Sequence, residues 1–318
     1  SSVAILLTYI IGALTLSSII WLPLALGIIS AILLSEKTRI ENFVENLKKF
    51  ELFAILKFLV VTLLVLPMLP NRDFTQFNLN PVNTWKIVII ISSIGFVGYI
   101  LMKKLGSQYG LWLSGLLGGI VSSTAVSVAM GRLSQQSPEI SDRALRGSLL
   151  ASSVMYVRIL LIVMIMGPAF LPLIWWKLLA LACAGFILSV TTGIDKSKSI
   201  SSYTSTIANP FEITPALVFS VLFITLQVMT GLVKSHFGNQ GLMVLSFLVG
   251  VTDIDPFILS ILSSHTINNV MVSAIIVSML GNTIIKAVYF GGMARQVRRE
   301  TIIRFGTLAV LHIPRVFL

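Results

Sequence analysis

The sequence predicts an all-α fold, a polytopic bundle of transmembrane helices with an internal repeat, and three observations carry that reading. Hydrophobic residues make up 56% of the 318 and charged residues only 11%, too little polar surface to wrap a soluble core. Mean hydropathy is +0.95, and the apolar residues fall into runs of the length that a bilayer core of about 30 Å demands, roughly 17 to 25 residues. A shift of the chain by 131 residues brings similar segments into register.

The runs lie near 3–16, 18–34, 51–70, 85–102, 110–131, 144–166, 175–193, 214–235, 241–263, 266–293 and 301–317, which predicts ten or eleven spans. Between the second and third, Ile40, Phe43, Val44, Leu47 and Phe50 recur at helical spacing among Glu41, Glu45, Lys48 and Lys49. That pattern predicts an interfacial amphipathic helix over Glu36 to Phe50. Residues 1–50 then form one region and 51–318 a transmembrane domain. The chain opens on Ser1 without Met or a signal-peptide pattern, and the expectation is a fragment or processed chain lacking its N-terminal part.

The formal charge of +11 fits loop Lys and Arg and contact with anionic lipid, with no nucleic-acid partner. The cluster Arg295, Arg298, Arg299 and Arg304 is read as an anchor at anionic lipid. If the Glu36–Phe50 segment is cytoplasmic, its side carries twelve loop cations against seven opposite. Cys183 lies alone in an apolar run and reads as a packing residue.

Under the 131-residue shift, Gly110-Leu111 falls on Gly241-Leu242, Leu117 on Leu248, Gly119 on Gly250 and Lys103 on Lys234. Asn80-Pro81 and Asn209-Pro210 stand in nearly equivalent places and read as caps of helix starts. The repeat units span about 80–193 and 209–318. Counting every run as a full crossing places an even number between them, so the units are expected to be parallel, related by an axis along the membrane normal. An inverted repeat would need one run to be re-entrant.

The shift pairs Ser122 with Asp253 and Thr124 with Asp255, both within stretches that put glycine and small polar side chains in mid-span. A carboxylate near the bilayer centre is costly and marks a functional site by default. Pro256 removes a backbone donor and disfavours helix at Asp255, which predicts a helix interrupted over Asp253–Pro256, with one half ending near Val251 and Asp255 capping the next. Interrupted helices at membrane depth line ion and substrate sites in transporters. The candidate substrate or ion site is therefore Asp253, Asp255, Ser122, Ser123, Thr124, Arg158, Asn282 and Lys286. Asp253 and Asp255 are the candidate ligands of a metal, Mg²⁺ being a hard cation that accepts carboxylate, hydroxyl and carbonyl oxygens. The same aspartates could instead neutralise Lys286 and Arg158, since buried charges usually pair. Asn282 and Lys286 share a helix face, with Asn268 and Asn269 earlier on the same run. No cofactor is expected, and Mg²⁺ would be substrate.

Enzyme chemistry is not expected. The two aspartates sit on one segment, whereas an intramembrane aspartyl protease needs them on separate helices; His236, His265 and His312 lack metalloprotease spacing; and no nucleophile elbow or phosphate loop is present.

The segments Val65-Leu66-Pro67-Met68-Leu69-Pro70-Asn71, Asn80-Pro81, Gly118-Gly119-Ile120-Val121-Ser122-Ser123-Thr124-Ala125, Met155-Tyr156-Val157-Arg158, Asn209-Pro210-Phe211 and Asp253-Ile254-Asp255 resemble MgtC/SapB-related membrane proteins that carry a C-terminal domain of unknown function 4010. The resemblance runs from about residue 50 onward, and residues 1–50 look like the end of the MgtC-like region. It implies a bacterial or archaeal cytoplasmic-membrane protein of a family labelled as Mg²⁺ transporters. The acidic and arginine-bearing MgtC motif itself is absent from this chain. The sequence leaves three readings: a divalent-cation transporter or ion-permeation protein, an anion or amino-acid transporter, and a regulatory membrane protein that transports nothing. Oligomeric state is left open.

Overall fold

The computed structural model describes residues 2–16, 21–39, 41, 49–75, 79–105, 110–191, 213–264 and 267–317. These are helical, and no strand occurs among the described residues. The chain divides into two units, Ser1–Leu56 and Lys57–Leu318. In the first, α1 (Ser2–Leu14) packs on α2 (Trp21–Ser35). Most of the expected interfacial helix lies outside the described residues. The boundary between the units falls inside α3 (Lys49–Met68).

The second unit continues with α4 (Pro81–Leu105), α5 (Gly110–Gln136), α6 (Ser141–Met166), α7 (Leu171–Val190), α8 (Ile213–Gly250), α9 (Asp255–Leu262), α10 (Asn269–Met293), α11 (Arg298–Val310) and α12 (Ile313–Phe317). Asn80 starts α4 as expected: its Oδ1 accepts from Val82 N at 3.0 Å and Asn83 N at 3.3 Å, and Pro81 takes the first helical position. Asn209-Pro210 lies outside the described residues.

Six helices are long and apolar enough to cross a membrane among the described residues, fewer than the ten or eleven runs predicted. Part of the difference is length: α1 and α2 have 13 and 15 residues. The predicted final span is broken into α11 and α12 around Leu311 and His312. The run 51–70 contributes the shorter apolar helix Phe58–Met68, and the run 241–263 is divided between the end of α8 and α9; two of the six helices also change direction inside.

In α5 the backbone at Ser122 is extended (φ −159°, ψ 105°), and the contacts on either side run in opposite senses. Before it, a Cβ on Gly115 would lie 2.4 Å from Gly147 O, and one on Gly119 would lie 2.6 Å from Ala151 Cα, so this arm runs parallel to α6. After it, Ser148 Oγ donates to Ser127 Oγ at 2.7 Å and Ser134 Oγ to Ser141 Oγ at 2.6 Å, so the second arm runs antiparallel. Each arm rises about 20 Å, short of a full crossing. The run is a re-entrant hairpin with Ser122 at its tip.

The second hairpin lies at the end of α8. Gly238 takes φ 59° and ψ −149°, a conformation open to glycine. Positions 233 and 241 would stand about 12 Å apart in a straight helix, yet a Cβ on Gly241 would meet Val233 Cγ1 at 3.0 Å; the chain folds back there. The arm from 239 to Gly250 runs inward, residues 251–254 turn, and α9 returns, bringing Ser260 Oγ to 3.3 Å from Thr230 Oγ1. Both arms thus begin and end beside the same turns of α8.

The two hairpins enter from opposite ends of α6. The first has its base at Ser141, while the second brings Leu262 against Gly167, where a Cβ would lie 2.8 Å from Leu262 Cδ2. With both runs re-entrant, only α4, α6 and α7 cross between the start of one unit and the start of the next. The repeat units are therefore antiparallel, related by an axis in the membrane plane, which corrects the parallel arrangement expected from counting every run as a span. The 131-residue register itself recurs in the packing. Gly119 against Ala151 is matched by Gly250 against Asn282, where a Cβ on Gly250 would lie 2.9 Å from Asn282 N.

The corrected topology also redistributes the loop cations between the two faces. Lys103, Lys104, Arg132, Arg143, Arg146, Arg295, Arg298, Arg299 and Arg304 lie toward the face where the first hairpin enters; Arg72, Lys86, Lys177, Lys234 and Arg315 lie toward the other. The face where the first hairpin enters carries the larger share of these cations.

Candidate functional site

Both tips reach the middle of α6 and α10, where the candidate residues gather. At the first tip, Ser122 Oγ accepts from Ala125 N at 3.2 Å, capping the outgoing arm. The incoming arm ends on bare carbonyls, and Arg158 from α6 supplies the donors: Nη1 donates to Val121 O at 3.0 Å and Ile120 O at 3.3 Å. Its Nη2 pairs with Asp255 of the second tip. One guanidinium thus ties a backbone end on one hairpin to a carboxylate on the other.

Lys286 makes the reciprocal reach from α10. It is fully buried, and Nζ donates to Ser123 Oγ at 2.7 Å and Met155 Sδ at 3.1 Å. Thr124 is half-buried on the same arm as Ser123.

At the second tip the helix breaks where expected, but the cap differs. Ile254 occupies the cap position, Asp255 opens α9, and Asp253 Oδ1 accepts from Asp255 N at 3.3 Å. Asp255 is buried and engaged by Arg158, whereas Asp253 is exposed at the tip. Among the described residues Asp253 has no direct ion-pair partner, although Arg158 and Lys286 both stand within electrostatic reach. Asn282 Nδ2 donates to Gly250 O at 3.1 Å and Thr252 O at 3.4 Å, holding the end of the incoming arm.

All eight predicted residues therefore sit at or beside the two tips, but in distinct roles. The two aspartates do not form a shared ligand pair, since one is committed to Arg158. Among the described residues no group of three or more His, Cys, Asp or Glu could hold a metal ion. Asn268 lies away from the tips and caps α10, its Oδ1 accepting from Met271 N at 3.0 Å. Cys183 is exposed on α7, not packed inside. Within the arginine cluster, Arg298 Nε donates to Gly291 O at 3.1 Å and Arg304 Nη1 to Leu188 O at 2.7 Å, so both also close helix ends.

Sequence reasoning missed Met155 and a buried cluster next to it. Tyr156 Oη lies 3.1 Å from Thr283 Oγ1 and 3.3 Å from His312 Nε2, and His312 Nδ1 lies 2.8 Å from Leu308 O. Met155 entered only within the segment Met155–Arg158 that carries the resemblance, not as a site residue, yet the 131-residue shift aligns it with Lys286, the residue it touches.

These features define a helical integral membrane protein whose antiparallel halves each send a re-entrant hairpin to a common mid-membrane centre. The chain belongs to the family of the domain of unknown function DUF4010, whose profile matches residues 89–293. A protein of Aquifex aeolicus (strain VF5), described as an uncharacterized protein, is 32% identical over 198 residues, covering 59% of this chain and 84% of its own length. No solved structure matches. The domain part of the expected resemblance stands, and nothing in the comparisons ties the chain to MgtC/SapB.

Proposed function

We propose that the chain is a secondary transporter of a small solute, held between the hairpin tips and exposed to alternate sides as the halves rock. The observation that supports this most is the meeting of two oppositely inserted hairpins around Arg158 and Lys286. Irregular backbone at membrane depth survives only where its polar groups are buried or line a wet cavity, and paired discontinuous helices are how transporters build such a site. The cytoplasmic membrane of a bacterium or archaeon is the location that suits it.

The helix ends at the centre favour a solute with an anionic group over Mg²⁺. Arg158 neutralises Asp255, leaving Asp253 as the one exposed carboxylate against a second buried cation, Lys286. The outgoing arms of both hairpins present helix N-termini to the centre, the end of the dipole that attracts anions. With Arg158 and Asp255 paired, a divalent cation would meet a single carboxylate, Asp253, already faced by the Lys286 ammonium.

The test is solute uptake into proteoliposomes across a panel of carboxylates, amino acids, inorganic anions and Mg²⁺. Saturable uptake of an anionic or zwitterionic solute, lost in Lys286→Met with the protein still folded, is the expected result. Uptake of Mg²⁺ alone would restore the divalent-cation reading. Absence of flux across the panel would leave the non-transporting regulatory role.

A further inference from the structure

We infer that the second hairpin tip is a binding site for a monovalent alkali cation, formed by Gly250 O, Thr252 O, Asn282 Oδ1 and the Asp253 carboxylate. As the coupling ion of transport it rests on the reading above; as a binding site it can be tested without any flux.

The two tips are not equivalent. Each incoming arm ends with carbonyls that have no partner in their own helix, the negative end of its dipole. At the first tip, Val121 O and Ile120 O receive a built-in cation, Arg158. The 131-residue register places Thr252 O at the position of Val121 O and Tyr289 at that of Arg158, so the second tip has no guanidinium of its own. In its place stand Asn282, at the position of Ala151, and Asp253, at the position of Ser122. The second tip has thus exchanged a fixed cation for oxygen ligands and a negative charge.

Asn282 supplies an independent sign of a missing ligand. It is only 1% exposed, and its Oδ1 has no hydrogen-bond partner among the described residues. A buried polar atom left unpaired costs about 1 to 3 kcal/mol, and such groups call for an explanation, an ion being one. Its Nδ2 already points at Gly250 O and Thr252 O. A half-turn of the amide would set Oδ1 beside the same carbonyls, with a cation between them in place of the two N–H bonds, and would turn Nδ2 to where Oδ1 now stands. Unwound carbonyls at half-helix C-terminal ends are the ligands by which discontinuous helices hold such ions. Asp255 is taken by Arg158, which leaves Asp253 as the carboxylate open to a single positive charge, with Lys286 the fixed cation in electrostatic reach.

The experiment follows thermal unfolding of the full chain in detergent against NaCl, KCl, choline chloride and MgCl₂ at matched ionic strength. The expected result is a saturable rise in melting temperature with Na⁺ or K⁺ that choline does not produce. Asp253→Asn and Asn282→Leu should raise the half-saturating concentration by at least about tenfold. Asn282→Asp, which keeps oxygen at the site, should retain the response. Equal melting temperatures in the alkali salts and in choline overturn the site, whether or not solute flux is found; so does a response to Mg²⁺ alone. A cation response without solute flux removes the transport reading and leaves the site.

Discussion

Arg158→Met is the sharpest perturbation of the junction between the hairpins. The substitution removes the partner of a carboxylate whose side chain is only 6% exposed, and two hydrogen bonds to carbonyls at 3.0 and 3.3 Å. Breaking a buried pair from one side costs about 3 to 5 kcal/mol, because the remaining charge stays buried and unpaired. At roughly 2 °C per kcal/mol for a chain of this size, the melting temperature should fall by about 6 to 10 °C. Asp255→Leu should lower it less, since the guanidinium keeps both carbonyl bonds. The double variant Arg158→Met, Asp255→Leu should recover part of the loss, about 2 kcal/mol, retaining the about 1 to 3 kcal/mol of carbonyls left bare. Thermal unfolding in detergent, followed by circular dichroism, supplies the three values and their coupling. A shift below about 2 °C for Arg158→Met, or a double variant whose loss is the sum of the singles, would refute the account of one guanidinium joining two tips.

Two further predictions follow from the same geometry. In a Cys183→Ser background, cysteines at Leu105 and Gln136 should react with a membrane-impermeant maleimide from one face, and cysteines at Phe237 and Ser264 from the other; labelling of Leu105 and Gln136 from opposite faces would return α5 to a full span. Gly119→Val and Gly250→Val should each destabilise by about 1 to 3 kcal/mol or more, because even a Cβ there would lie 2.6 Å from Ala151 Cα and Ser278 O respectively. Gly306→Val is the control: a Cβ there meets nothing within 4 Å, and an unchanged melting temperature in all three would remove the close-packing argument.

Composition alone made the membrane bundle legible, and the break at Asp253 was legible because Pro256 cannot continue a helix. The first tip was not. Ser122 has no proline beside it, and a half-crossing there and back contains about as many apolar residues as one full crossing. What separates them is tertiary: Gly115 and Gly119 meet α6 in one sense, Ser127 and Ser134 in the other. The 131-residue shift pairs the stretches at which both runs turn, yet counting both runs as spans turned one half upside down. Arg158 and Lys286 were visible as deep cations, but which aspartate each would answer depends on packing between helices far apart in the chain.

The contact between Lys286 and Met155 bears on how such a molecule could arise. Aligned positions that touch lie on the axis relating the two halves. Had the halves been separate copies of one polypeptide, a lysine at that position would have pressed its ammonium against its own twin, and a methionine would have met only methionine. Joining the copies into a single gene frees the two positions to diverge, one keeping the charge and the other a soft sulfur to receive it. An asymmetric centre of this kind is accessible to a fused chain and closed to a homodimer.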